Sequence, residues 1–139
     1  MKKQKLIFAL FCLCMLTGCS GKHTAETTPL QYRVVDRIDV WCCHSGMEQR
    51  FSYQTPQKME KILTYLRQLE YRGMAETDPE RICGDSYQIT VRSSDGTSCN
   101  YRQRANCYLS RNNHPWEKID PKQAEKLYPL LQEMPSDTH

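Results

Sequence analysis

Two adjacent cysteines and a histidine, Cys42-Cys43-His44, are the side chains here whose types most readily do chemistry. Thiolates beside an imidazole can bind zinc or copper, or run thiol exchange. The spacing argues against both. Neighbouring residues of a strand point to opposite faces, so Cys42 and Cys43 cannot easily share one metal ion. A bond between them would close a small ring that a regular strand does not accommodate. No Cys-x-x-Cys pair occurs after Cys19, which removes the usual redox and zinc spacings. The simpler reading places Cys42 in the core and Cys43 near a strand end. His44 and His114 stand in no Gly-x-Ser-x-Gly or His-Glu-x-x-His context, and no glycine-rich phosphate loop or framed carboxylate pair accompanies them. No catalytic residue, metal site or cofactor is therefore assigned.

A second grouping, Arg102, Arg104, Arg111, His114 and Trp116, gathers arginine beside an aromatic. That is the composition of a protein-binding hot spot or of a site for an anion. Its structural counterpart is the wet face of an edge strand, with Trp116 anchoring the following loop.

Near the N-terminus, Lys2, Lys3 and Lys5 precede an apolar run from Leu6 to Leu16, and Leu16-Thr17-Gly18-Cys19 follows. A charged start, an apolar middle and small residues at the end form the layout of a secretory signal. A membrane-spanning helix needs about 20 apolar residues, nearly twice this run. The four residues resemble the lipobox of bacterial lipoproteins. The resemblance implies cleavage before Cys19 and acylation of its thiol, which would hold the protein on the outer face of the cytoplasmic membrane. The remainder looks similar to small uncharacterised lipoproteins of Gram-positive anaerobes in its first helix, its Ser-Asp-Gly hairpin and its Trp116-x-Lys118-Ile119-Asp120-Pro121 segment. That likeness implies no particular activity.

Residues 1–18 then read as signal peptide, 19–31 as a polar tether and 32–135 as one domain. A tether of this length would keep the domain on the order of 15–20 Å from the lipid. Losing Lys2, Lys3 and Lys5 takes the 19 basic residues to 16, against 16 acidic ones. A balance near zero argues against nucleic acid as a partner. Five cysteines remain for the domain: Cys42, Cys43, Cys83, Cys99 and Cys107. An exported location permits disulfides, and an odd number leaves at least one thiol unpaired.

The elements that must position these residues follow from periodicity. Val34, Ile38, Val40 and Cys42 alternate with Arg37, Asp39, Trp41 and Cys43 in a strand from Tyr32, and Gln49–Gln54 returns beside it. Thr55-Pro56 opens a helix with an apolar stripe of Met59, Ile62, Leu63, Leu66 and Leu69, ended by Gly73. Ser86–Ser93 and Thr97–Arg104 form a second hairpin, with a short further strand at Cys107–Ser110. Asp120-Pro121-Lys122-Gln123 starts a last helix with a capping box, buried through Ala124, Leu127, Leu131 and Met134 and kinked or split by Pro129. The order ββαββα predicts an α+β domain: an antiparallel sheet of four to five strands with two helices on one face.

Register in the second hairpin can be argued from its turn. A two-residue turn at Asp95-Gly96 sets Ile89 opposite Arg102, mixing apolar and charged groups on one face. A three-residue loop, Ser94-Asp95-Gly96 with Gly96 left-handed, sets Val91 opposite Cys99, Ile89 opposite Tyr101 and Tyr87 opposite Gln103. The second register yields one apolar face. Carried outward it places Cys83 opposite Cys107, a candidate disulfide.

The expected function is that of a lipid-anchored, non-catalytic envelope module whose partners are the membrane, through Cys19, and a protein of the cell envelope. Two other classes stay open: a thiol-redox or metal-binding surface protein using Cys42, Cys43 and His44, and a hydrolase without a linear motif. The anchor is directly testable. Replacing Cys19 with Ala should block acylation and leave unprocessed or released protein, read by the mass and membrane fraction of the product. Mature protein still bound to membrane and unchanged in mass would contradict the lipobox reading.

Overall fold

The computed structural model describes residues 34–137, so the signal, the lipobox and the tether, with Tyr32, lie outside the described residues. The fold is α+β, one antiparallel sheet carrying its helices on a single face.

Seven strands run in the spatial order β2-β1-β4-β5-β6-β7-β3. They are β1 (Val35–His44), β2 (Met47–Tyr53), β3 (Tyr71–Met74), β4 (Ser86–Ser93), β5 (Ser98–Arg104), β6 (Tyr108–Arg111) and β7 (Glu117–Ile119). Helix α1 spans Pro56–Gln68, α2 Pro121–Ala124 and α3 Leu127–Glu133. The sheet is thus wider than the four to five strands expected. β3 and β7 are too short, at four and three residues, to show an alternating pattern, and β3 is exposed throughout. Pairing at long range makes them strands: β7 pairs with β6 through Tyr108–Lys118 and Leu109–Glu117, and β3 pairs with β7 through Tyr71–Ile119 and Met74–Glu117. Gly73, expected to end the first helix, sits instead inside β3 at φ +94°.

The long strands follow the period-two pattern. Ile38, Val40 and Cys42 of β1 are buried, as are Tyr87, Ile89 and Val91 of β4 and Cys99, Tyr101 and Gln103 of β5. β4 and β5 pair Val91 with Cys99, Ile89 with Tyr101 and Tyr87 with Gln103. This is the three-residue-loop register, with Gly96 at φ +84°. Beyond Ser86 opposite Arg104 the ladder stops. Ala105 and Asn106 turn left-handed, and Cys107 N–H donates back to Arg104 O at 3.1 Å. The turn takes in Cys107 and leads the chain back into β6, so Cys107 is not carried onward opposite Cys83. Both are free thiols, so the expected Cys83–Cys107 disulfide is not formed here.

Helix α1 buries Met59, Ile62, Tyr65 and Leu66 against the apolar face, while Leu63 is only partly covered. Thr55 has the extended backbone of an N-cap but makes no side-chain capping bond. The last helix is split as Pro129 requires: proline four residues after Glu125 clashes with that carbonyl, and regular helix breaks between Ala124 and Leu127. Ala124, Leu127, Leu131 and Met134 are all buried. Asp120 caps α2 by accepting from Lys122 N–H at 3.3 Å. Gln123 does not close the capping box; its side chain accepts from Glu70 N–H at 2.7 Å, tying α2 to the chain leaving α1.

Ile62 is fully buried, so truncation leaves a cavity where α1 meets the sheet. Ile62→Ala should cost about 2–5 kcal/mol in urea unfolding, and Leu63→Ala distinctly less because Leu63 is half in water. Equal losses would mean α1 is rotated from this placement.

Candidate functional site: the helix-free face of the sheet

Strand geometry sends alternate side chains to the face without helices. Cross-strand registers place Arg37, Asp39, Trp41 and Cys43 there from β1, and Glu48, Arg50 and Ser52 from β2. β4 supplies Ser86, Gln88, Thr90 and Arg92, and β5 supplies Asn100, Arg102 and Arg104. An open groove of roughly 750 Å³ crosses the β2, β1 and β4 part of this face, lined among others by Arg37, Asp39, Trp41, Arg50, Gln88 and Thr90.

Most polar groups around the groove satisfy one another. Asp39 accepts from Arg37 Nε at 2.8 Å and from Arg92 Nε at 3.1 Å. Burial pushes its carboxyl up, but these two arginines outweigh that and hold it below the usual value. Thr90 Oγ1 donates to Asn100 Oδ1 at 2.9 Å. A row across three strands differs. Arg50, Trp41 and Gln88 are successive cross-strand neighbours, and their side chains make no hydrogen bond or ion pair with other described residues. Three neighbouring strands, about 4.8 Å apart, thus present a guanidinium, an indole N–H and an amide on this face.

The far half of the face is covered. The short 3-10 helix Pro79–Arg81 leans on β5, where Glu80 accepts from Arg102 at 2.6 Å. Arg104 donates to the Ser86 hydroxyl and, at 3.2 Å, to Ile82 O. Arg102 also lies over the Trp116 ring, 4.9 Å from its centroid. Of the five residues grouped by sequence, Arg102, Arg104 and Trp116 therefore do share this face. Arg111 does not. It pairs with Tyr101, on the core side, and donates to Cys99 Sγ at 3.4 Å. His114 is in an exposed loop, its carbonyl accepting from Ser110 Oγ at 2.6 Å. β5 also lies in the middle of the sheet, so Arg102 and Arg104 do not guard an edge. Sequence grouping missed Trp41, Arg50 and Gln88 because they come from three strands, although the alternation of β1 already put Trp41 on the polar side.

Cys42, Cys43 and His44 are not gathered into one site. Cys42 is buried under the helices, where desolvation pushes its thiol up, and Cys43 is on the opposite face. His44 Nδ1 lies 2.7 Å from Asp85 Oδ2, and its ring stacks on Tyr128 at 3.6 Å. Asp85 Oδ1 also accepts from Ser45 N–H at 3.2 Å. The pair clips the β1–β2 turn to the start of β4 and to α3. Among the described residues, no three His, Cys, Asp or Glu side chains converge as a metal site.

At the β2 end of the groove the chain terminus is folded in. Ser52 N–H donates to Ser136 Oγ at 3.0 Å, and Asp137 N–H donates to Ser52 O at 2.9 Å. The Asp137 carboxylate accepts from Gln54 N–H, Thr55 N–H and Lys58 Nζ at 2.6, 2.7 and 2.6 Å. It ties the residues just ahead of α1, and Lys58 in its first turn, to the last described residues, so the domain extends past the boundary at 135. A scan against protein-family models finds no match, and searches of curated proteins and of solved structures return none.

The Lys58 ammonium, then the two backbone N–H groups, hold the Asp137 carboxyl well below its ordinary 3.8. A depressed pKa adds stability above the unfolded value and loses it as pH falls through the folded one. Wild type should therefore be more stable than Asp137→Asn at about pH 7, with the gap shrinking progressively below the ordinary value. A gap that stays constant into acid, in urea unfolding, would contradict a charged Asp137.

Proposed function

We infer that this protein is a lipid-anchored, non-catalytic module on the outer face of the cytoplasmic membrane, and that its helix-free face binds a protein of the cell envelope. One observation carries the reading: Arg50, Trp41 and Gln88 lie side by side in an open groove with no partner among the described residues. Arginine and tryptophan are the residue types that dominate binding energy at protein interfaces. A cation and two neutral donors suit carboxylates and main-chain carbonyls on the partner. The lipobox at Leu16-Thr17-Gly18-Cys19 supports the address, and near-neutral charge agrees with a protein partner over nucleic acid. A structural role for His44 and Asp85, ring stacked and carboxylate shared with a backbone N–H, favours binding over hydrolysis.

A photocrosslinking side chain at position 41 or 88 tests this on intact cells, with one at exposed Lys126 on the helix side as control. Capture of a defined envelope protein from the sheet positions alone is the expected result, weakened by Arg50→Ala. Equal capture from position 126, or none from the sheet face, would overturn the reading.

A further inference from the structure

β2 is the last strand on its side of the sheet. Its sequence Met47-Glu48-Gln49-Arg50-Phe51 is self-complementary when read against itself backwards. Along a strand, consecutive residues direct their N–H and C=O to opposite sides. Ser52 turns both outward, to the terminal segment, so Glu48 and Arg50 turn theirs outward too. No turn, loop or tail bond to another described residue meets them there. The outer edge of β2 is thus a short run of unused main-chain donors and acceptors, the feature that invites another strand.

We propose that this edge receives a second copy of the chain, two β2 strands pairing antiparallel about a two-fold axis at Gln49. In that register Glu48 of each copy lies opposite Arg50 of the other, and each such pair exchanges its free main-chain N–H and C=O groups. Gln49 faces its own counterpart. Met47 faces the second copy's Phe51, which gives an apolar neighbour to a methionine that is 59% exposed in the single chain. The four outer positions are matched, thioether to ring and carboxylate to guanidinium, while Gln49 at the centre keeps the bond its side-chain oxygen accepts from Gln132 Nε2 at 3.0 Å.

Charge selects this register over its neighbours. Sliding by two residues, the smallest shift that keeps outward groups opposite outward groups, sets Arg50 against Arg50 or Glu48 against Glu48. Charges that merely guard an edge would carry one sign and repel every register. Opposite charges placed symmetrically about Gln49 repel the wrong registers and favour one. The terminal segment completes the selection, because Ser136 and Asp137 already occupy Ser52 and stop a second strand from sliding past Phe51. The joined sheets would set the two rows of Arg50, Trp41 and Gln88 on one continuous face. The pairing draws on Arg50, which the binding row also contains, but it rests on the β2 edge and not on what that face binds.

Facing residues at the two-fold, being a non-hydrogen-bonded pair, have alpha carbons about 4.5 Å apart, within disulfide range. In the full chain with detergent present, Gln49→Cys should form a disulfide-linked dimer under mild oxidation at least about tenfold faster than Lys126→Cys or wild type. In that background Glu48→Arg or Arg50→Glu alone should slow linkage roughly tenfold by placing like charges opposite, and the double exchange should restore it. Restoration separates the pairing from a folding defect, and sedimentation of the unlinked chain should follow the same order. Three results would overturn the proposal: linkage at 49 no faster than at 126, a double exchange no better than either single one, or a cysteine at 49 that links to a different protein and not to a second copy.

Discussion

A buried amide holds the two helical segments to the sheet. Gln103, 1% exposed on β5, accepts from the Tyr65 hydroxyl of α1 through its side-chain oxygen. Its amide nitrogen donates at 3.3 Å to Ala124 O at the end of α2 and, at the same distance, approaches Asn106 Oδ1 in the β5–β6 turn. Tyr65 lies 3.3 Å from that same carbonyl. An unpaired amide in this place would cost its full desolvation, so each partner must be present for the others to be tolerated. Burial pushes the Tyr65 hydroxyl well above its ordinary pKa, keeping it neutral and able to donate. The apolar stripe of α1 supplies most of the attraction to the sheet, and this polar junction selects how the helix is rotated and where α2 begins.

Placing every α-helix on one face leaves the other to be satisfied largely by the strands themselves. On β1, β4 and β5 this is done with crossed ion pairs and hydroxyl bonds, Asp39 between Arg37 and Arg92 and Thr90 against Asn100. Over β5 the 3-10 helix adds a lid of carbonyls and Glu80 for Arg102 and Arg104. Neither device reaches the row of Arg50, Trp41 and Gln88, and it is there that the surface has polar groups to offer. The chemistry left over after folding, and not any single motif, is what marks this face as the candidate for binding.

The terminal segment joins these two themes. A carboxylate some eighty residues away in sequence fastens the start of α1, because it meets the Gln54 and Thr55 N–H groups and the Lys58 ammonium together. The same segment pairs with Ser52 and shortens the free edge of β2 to the residues around Gln49. A local capping rule applied to Thr55 finds the helix start but not the side chain that fastens it, since Asp137 comes from far along the chain and binds the N–H groups just ahead of the helix.

Sequence alone determined what depends on neighbours close in the chain. The alternation in β1, β4 and β5, the stripe of α1, the split at Pro129 and the hairpin register set by a left-handed Gly96 all follow from periods and turn chemistry, and all are seen. Tertiary structure decided what depends on meetings at long range. β7 exists because it pairs with β6, and β3 because it pairs with β7. Gln123 was drawn from its capping box by Glu70 N–H, and the β5–β6 register put Arg111 opposite Tyr101, on the other face from Arg102. The hairpin rule also failed one step beyond its reach, where left-handed Ala105 and Asn106 ended the ladder before Cys83 could face Cys107. A local pattern records which face a side chain prefers; which side chain from another strand stands beside it is settled only when the sheet closes around the core.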